Sequence, residues 1–325
     1  MERTPLPPAP RLCTLSDGHA GNVRQAQSLA RELGGADYDV VLDARAPWRW
    51  FAPRRWPGAE HAFGDAFAAL GARPPVLAIG CGRQAALATR VLRERGSRVV
   101  QILDPRLDPA HWDLVVAPEH DGLAGRNVIP LLGSLTPVDD AWLAEARARF
   151  ARFAALPAPR TVLLLGGASA HYRFDAAAFA HLSALLDRAI ARDGGALLAT
   201  ASRRTPPGVV QALRSRHAGA RDTLLWCTDA DGPNPYPGLL AWADRIVCTP
   251  DSVNMVSEAC ATAVPVHVFE PDRVQGRPRR FLDALLQRGR IRALDDTLQA
   301  FAAAPLRETA RVAAEVRARL GLPAR

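Results

Sequence analysis

Short runs that are apolar at nearly every position, each followed by a polar loop and then a helical pattern, recur along the whole chain. In the first half these are Arg11–Leu15, Asp39–Leu42, Val76–Ile79, Arg98–Leu103 and Asp113–Val116. In the second half they are Thr161–Leu165, Ala196–Ala199, Thr223–Trp226, Arg245–Cys248 and Pro265–Phe269. A strand apolar on both faces belongs inside a parallel sheet covered by helices, because crossover helices bury both surfaces. Asn22–Leu33 sets Val23, Ala26, Leu29, Ala30 and Leu33 at helical spacing. Further helices are expected through Leu92, over Asp175–Ala191, over Pro206–Arg214 behind a Thr205 cap, and over Ser252–Ala261 behind Asp251 or Ser252. The tail Asp295–Leu320 reads as one or two amphipathic helices. The expected architecture is α/β: two parallel-sheet domains, residues 1–155 and 156–325, divided at Leu156-Pro-Ala-Pro159 with a cleft between them.

Composition agrees with this class. The chain has 325 residues, 48% hydrophobic and 23% charged, which is enough apolar material for a sizeable core. Apolar stretches are too short to span a bilayer. Met1–Pro10 lacks the apolar core of a secretory signal and is read as a disordered lead-in to a cytoplasmic protein. The formal net charge is +8, but the chain contains no lysine and its 41 basic residues are all Arg. That pattern reflects composition bias, and no block of five like charges occurs, so nucleic-acid binding is disfavoured. An acidic small molecule, or a peripheral stay on the inner face of a membrane, fits the charge equally well. The five cysteines form no CxxC pair and the eight His show no ligand spacing. No disulfide, no metal site and no cofactor are therefore expected.

In parallel sheets, ligands bind beyond the carboxyl ends of the strands, so the loops there carry the functional reading. Gly166-Gly-Ala-Ser169 precedes a helix; Gly166, Gly167 and Ser169 suit a phosphate, or form a plain tight turn. Ser202-Arg-Arg204 places two guanidiniums before another helix, where they clamp phosphate oxygens or lie solvated on the surface. The proline-dense loop Asp231–Pro237 either presents Asn234 and Tyr236 to a ligand or is a rigid connection. Asp251, Asn254 and Glu258 are spaced three and then four apart, which puts them on one helix face beside Ser252; the segment either presents a carboxylate to sugar hydroxyls or is a capped helix start with an exposed Glu. In the first half, Asp17, Gly18, His19 and Asn22 follow the first strand, and either Asp17 or His19 can act as a general base. Gly80, Gly82 and Arg83 form a second strand-to-helix loop, and Asp104 and Arg106 follow a further strand.

These segments together resemble the mitochondrial-fission elongated-mitochondria family of plants and bacteria. The carriers are Ser16–Asn22, Asp104–Arg106, Gly166–Ser169, Thr200–Pro206, Asn234–Tyr236 and, most specifically, Thr249–Glu258. In plants the resemblance implies recruitment of a dynamin-related fission protein to the outer mitochondrial membrane; bacterial members are regarded as glycosyltransferase-like. More distantly, the second half is similar to the nucleotide-sugar half of GT-B glycosyltransferases such as the peptidoglycan N-acetylglucosaminyltransferase. That likeness implies Rossmann-like domains, with Gly166, Gly167 and Ser169 near a diphosphate. It also implies Glu258 on the ribose, and Ser252 and Asn254 near phosphate or sugar. Gly18-His19 echoes the Gly-His loop of that enzyme, although Asp17 precedes the glycine here, which leaves the base open. The implied activity is metal-independent transfer of a sugar from a nucleotide diphosphate-sugar to an envelope or lipid-linked acceptor held by the first domain. The alternatives are a non-catalytic adaptor and a nucleotide-sugar epimerase.

Overall fold

The computed structural model describes residues 11–323, so the lead-in expected at Met1–Pro10 lies outside the described residues. The chain forms two compact units: residues through Pro137 joined by those from Glu308 onward, and Val138–Arg307.

The first unit contains β1 (Leu12–Ser16), α1 (Ala20–Glu32), β2 (Tyr38–Val41), α2 (Trp48–Phe51), α3 (Gly64–Ala72) and β3 (Leu77–Cys81). It continues with α4 (Arg83–Glu94), β4 (Arg98–Ile102), β5 (Leu114–Pro118) and β6 (Val128–Leu131). The six strands are parallel, in the order β2-β1-β3-β4-β5-β6. One face packs Ala85–Ala88, Val91 and Leu92 of α4 with Phe67 and Trp112. The Trp112 indole donates to Thr89 Oγ1 at 2.9 Å, which satisfies its N–H inside the core.

The second unit runs α5 (Asp140–Arg149), β7 (Arg160–Leu165), α6 (Ala176–Asp193), β8 (Ala196–Ala201), α7 (Pro207–Arg216), β9 (Thr223–Trp226) and α8 (Tyr236–Trp242). Then come β10 (Arg245–Cys248), α9 (Val253–Cys260), β11 (Val266–Val268), α10 (Gly276–Gln287) and β12 (Arg292–Ala293). Its parallel order is β12-β11-β10-β7-β8-β9. The last helix, α11 (Glu308–Leu320), belongs to the first unit, where Val312, Ala313 and Val316 pack with Ala26, Leu29 and Ala30 of α1. Each buried Val or Leu among these stabilises the fold by about 1.5–3 kcal/mol, and each alanine methyl by less.

All the strands expected from the apolar runs form, and two more join them. β6 was hidden by Pro130, which a strand tolerates only at an edge, and β6 is an edge strand with Pro130 exposed. β12 is two exposed residues on the opposite rim of the other sheet. The units do not follow the 155/156 division. Residues from Val138 pack with the second unit because α5 lies on α8, with Arg147 Nε donating to Ala241 O at 2.7 Å. The tail is helical only from Glu308. Upstream, Asp295 Oδ1 accepts from the amides of Thr297 (2.8 Å) and Leu298 (3.1 Å), so a side chain replaces the helical acceptor there.

Sheet order fixes where a ligand can approach. The winding reverses between β1 and β3 in the first sheet and between β7 and β10 in the second. Helices leave such a pair on opposite faces, and a crevice opens beyond their carboxyl ends.

Candidate functional site

At the second reversal, β7 and β10 pair in register with Leu164 beside Cys248, so the loops after Leu165 and Cys248 must meet. They meet on a buried carboxylate. Asp251 Oδ1 accepts from the Thr249 hydroxyl at 2.8 Å, and Oδ2 from the Gly167 amide at 3.0 Å and Arg204 Nη2 at 2.7 Å. Thr249 Oγ1 in turn accepts from the Gly166 amide at 2.7 Å. The Asp251 side chain has 0% exposure, whereas Arg204 is 47% exposed. Thr205 closes the other side: its hydroxyl bonds the Gly166 carbonyl and accepts from Ser202 N at 2.9 Å. It is therefore a loop clasp and not the cap expected for α7, whose N-cap is Pro206.

Both glycines are required by close approach. A methyl on Gly166 collides with the Asp251 carboxylate, and one on Gly167 collides with the Arg204 carbonyl. Gly167→Ala is expected to lower the unfolding free energy by about 1–3 kcal/mol, because backbone must shift. A reduced urea midpoint with unchanged m-value would show it.

The same geometry changes the role expected for this loop. The amides of Gly166 and Gly167 are taken by Thr249 and Asp251, so they do not face an anion. Asp251 spends its two oxygens on Thr249, Gly167 and Arg204, so in this structure it braces the loop. Positive character at this end of the sheet comes from half-exposed Arg204, exposed Arg203 and the amino end of α9. Ser169 accepts from the amides of His171 (3.2 Å) and Tyr172 (3.1 Å) in a local turn.

α9 starts at Val253 with Ser252 as its N-cap, accepting from Met255 N at 3.4 Å. Asp251 therefore precedes the helix and does not share its face with Asn254 and Glu258. Glu258 is 2% exposed, and its Oε2 accepts from the Tyr236 hydroxyl at 2.6 Å. The proline-dense loop ends by starting α8, where Asn234 Oδ1 accepts from Tyr236 N at 2.9 Å. Asn234 thus positions the tyrosine that holds Glu258.

At the first reversal, Asp17 Oδ1 accepts from Asn22 Nδ2 at 2.9 Å and His19 N at 3.2 Å, and lies 3.0 Å from His19 Nδ1. His19 is 80% exposed and Asp17 14%. Gly82, after β3, adopts φ +93°, and a methyl there would stand 2.6 Å from Asn22 Nδ2. Asp17, His19, Asn22 and Gly82 thus gather at one point, and Gly18 adjoins them above Val41. The other first-unit candidates serve elsewhere. Gly80 lies inside β3, where a side chain would meet Thr89 and Gln101. Arg83 donates to Arg49 O at 3.0 Å, and Asp104 accepts from Arg106 N at 2.8 Å within its own turn.

Thr249 and Thr205 were not singled out as site residues, though a Thr-Pro-Asp sequence closing a buried strand was the available signal. Glu270 was also missed. It sits at φ 41° after β11 and joins Tyr172 (3.3 Å), His181 (3.1 Å) and Arg273 (2.8 Å). The five cysteines are buried and unpaired, and burial pushes the Cys13 and Cys260 thiols up to about 12. They stay protonated and are poor nucleophiles.

The profile of the family described as mitochondrial fission ELM1 matches residues 20–320. A mitochondrial fission protein ELM1 of Arabidopsis thaliana is 30% identical over 276 residues, covering 76% of this chain and 64% of that relative's length. An uncharacterized protein of Rickettsia prowazekii is 24% identical over 346 residues, covering 92% of this chain and 95% of the relative. Among solved structures, UDP-GlcNAc 2-epimerase of Methanocaldococcus jannaschii superposes with TM-score 0.63 at 13% identity, over 96% of this chain and 99% of that one. The Neisseria meningitidis UDP-GlcNAc 2-epimerase bound to UDP-GlcNAc gives 0.60 at 12%, over 96% and 100%. The calicheamicin glycosyltransferase CalG4 gives 0.51 at 14%, over 97% and 99%. At these identities the structural likeness is one of fold, the GT-B-like pair of Rossmann-like domains. With the profile running across both units, the chain belongs to the mitochondrial fission ELM1 family.

Proposed function

We propose that this chain is a glycosyltransferase: the second unit binds a nucleotide diphosphate-sugar and the first supplies the base for an envelope or lipid-linked acceptor hydroxyl. The observation that carries the reading is Glu258, a buried carboxylate oriented by Tyr236 on the helix that follows β10. A fixed acceptor at that depth suits the vicinal hydroxyls of a ribose. Arg203, Arg204 and the amino end of α9 supply the positive field for the leaving diphosphate. In the first unit, Asp17 Oδ1 lies 3.0 Å from Nδ1 of the exposed His19, and His19 is assigned as the base that takes the acceptor proton. The acceptor oxygen bonds to the anomeric carbon as the bond to the diphosphate breaks, and the electron pair leaves on the phosphate.

The fold shared with UDP-GlcNAc 2-epimerases supports a nucleotide-sugar ligand, and the Arabidopsis relative supports the adaptor alternative. Incubation with labelled nucleotide sugars and host lipid extract tests the transferase reading. The expected result is sugar on an acceptor with release of nucleoside diphosphate, reduced at least a hundredfold in His19→Ala. Conversion of the sugar without any acceptor points to an epimerase and overturns the transferase reading.

A further inference from the structure

The segment Ala44–Gly58 carries Trp48, Trp50, Phe51 and Trp56 together with Arg45, Arg49, Arg54 and Arg55, and contains no acidic residue. It leaves β2 at the carboxyl side of the first sheet, beside the Asp17 loop, where Leu42 N donates to Ser16 O at 2.7 Å. Such a loop folds under with its indoles inside if its only role is packing. Here Trp50 is 69% exposed and Trp56 46%, and Arg45, Arg49, Arg54 and Arg55 are exposed as well.

The segment is also held stiffly. The Trp48 indole donates to Pro57 O at 3.0 Å, Arg83 Nη2 to Arg49 O at 3.0 Å and Arg90 Nη1 to Pro53 O at 2.9 Å. Phe51 and Trp56 stack with centroids 4.1 Å apart. The exposed indole is therefore displayed by a fixed platform, which removes most of the ordering cost of binding. Arg55 pairs with Glu94, whereas Arg45, Arg49 and Arg54 have no ion-pair partner among the described residues.

We propose that this platform docks the first unit on an anionic phospholipid surface, with Trp50 seated at the headgroup level and Arg45, Arg49 and Arg54 on lipid phosphates. Indoles favour the boundary between headgroup and acyl chain, and guanidiniums match phosphate oxygens in a bidentate fork. Single-stranded nucleic acid is a poorer partner because it needs open ring faces for stacking. Trp50 alone in the segment presents an open ring, since Phe51 and Trp56 stack on each other and Trp48 lies against Gly58, so successive bases find no run of stacking platforms. The four-residue helix α2 is far too short to span, so the contact is interfacial. This surface stands apart from the transferase reading, although docking here brings the Asp17 loop to where a lipid-linked hydroxyl is found.

Flotation with liposomes at 0.1 M salt tests the proposal. The full chain is expected to float with phosphatidylcholine vesicles containing a third phosphatidylglycerol, and not with phosphatidylcholine alone. Arg49→Ser with Arg54→Ser is expected to weaken binding by roughly tenfold or more, at about fivefold for each arginine. Trp50→Ser is expected to weaken it several-fold with an unchanged melting temperature. The charge-matched pair Arg221→Ser with Arg280→Ser, both exposed in the second unit, is expected to bind like wild type. The proposal is overturned if the wild type floats with neither vesicle, or if the charge-matched pair loses binding as the platform variants do, which marks attraction by net charge alone. Retention of RNA in place of vesicles also overturns it.

Discussion

Asp251→Ala is expected to lower the unfolding free energy by about 3–5 kcal/mol, among the largest effects of any single change in the second unit. The carboxylate has no exposure and joins three chain segments through Gly167, Thr249 and Arg204. Its removal orphans a buried amide and a hydroxyl, each costing about 1–3 kcal/mol, and frees the loop after β7 from the loop after β10. Asp251→Asn keeps one acceptor oxygen for Gly167 but loses the charge toward Arg204 and the acceptor for the Thr249 hydroxyl, so it is expected to cost less than Asp251→Ala. Urea denaturation of the two variants checks the ordering. Equal effects would mean that the charge and the Thr249 bond, and not the bond from the Gly167 amide, dominate.

Acid is expected to weaken the fold through His267 by about 3 kcal/mol between pH 6.5 and pH 4. The ring lies in β11 with 1% exposure, edge-on to Phe301 at 5.6 Å, and both its nitrogens lack partners among the described residues. Burial is the main cause lowering its pKa to about 4, helped by Arg245 and Arg292 and opposed by Asp295. The unfolded chain takes up a proton near pH 6.5 that the folded chain refuses until about pH 4. Stability is therefore whole above pH 6.5 and falls on acidification at up to about 1.4 kcal/mol per pH unit. Asp231 titrates lower: Arg214 holds it down to about 2, so its contribution is lost only below the usual carboxylate pKa. His267→Phe is expected to reduce the slope between pH 4 and 6.5, leaving the part due to His217, whose pKa burial and Arg216 also lower, while stability at pH 7 stays equal or rises. A slope unchanged in that variant would refute the assignment.

The architecture was legible because a buried parallel strand needs apolar residues on both faces, and Leu12–Leu15, Leu77–Ile79, Val162–Leu165 and Ile246–Cys248 display this directly. Pro130 masked an edge strand for the same reason that it could be tolerated there. The candidate site was half legible. Polar loops after β1, β7, β8 and β10 identify the correct end of each sheet, but strand order decides which loops meet, and order is a long-range property. Only with β7 beside β10 does Asp251 reach Gly167, and that contact converts an expected phosphate ligand into a loop brace. The Tyr236–Glu258 bond has the same character, joining α8 to α9 across residues that no local pattern links.

The central claim is a nucleotide-sugar site on the second unit, organised around Glu258. Titration calorimetry with uridine, guanosine, cytidine and thymidine diphosphates tests it most directly. Saturable one-to-one binding of one nucleotide is expected, weakened at least tenfold in Glu258→Ala and unchanged in Asp17→Asn. Heat from none of the four, or equal affinity in the wild type and Glu258→Ala, contradicts it.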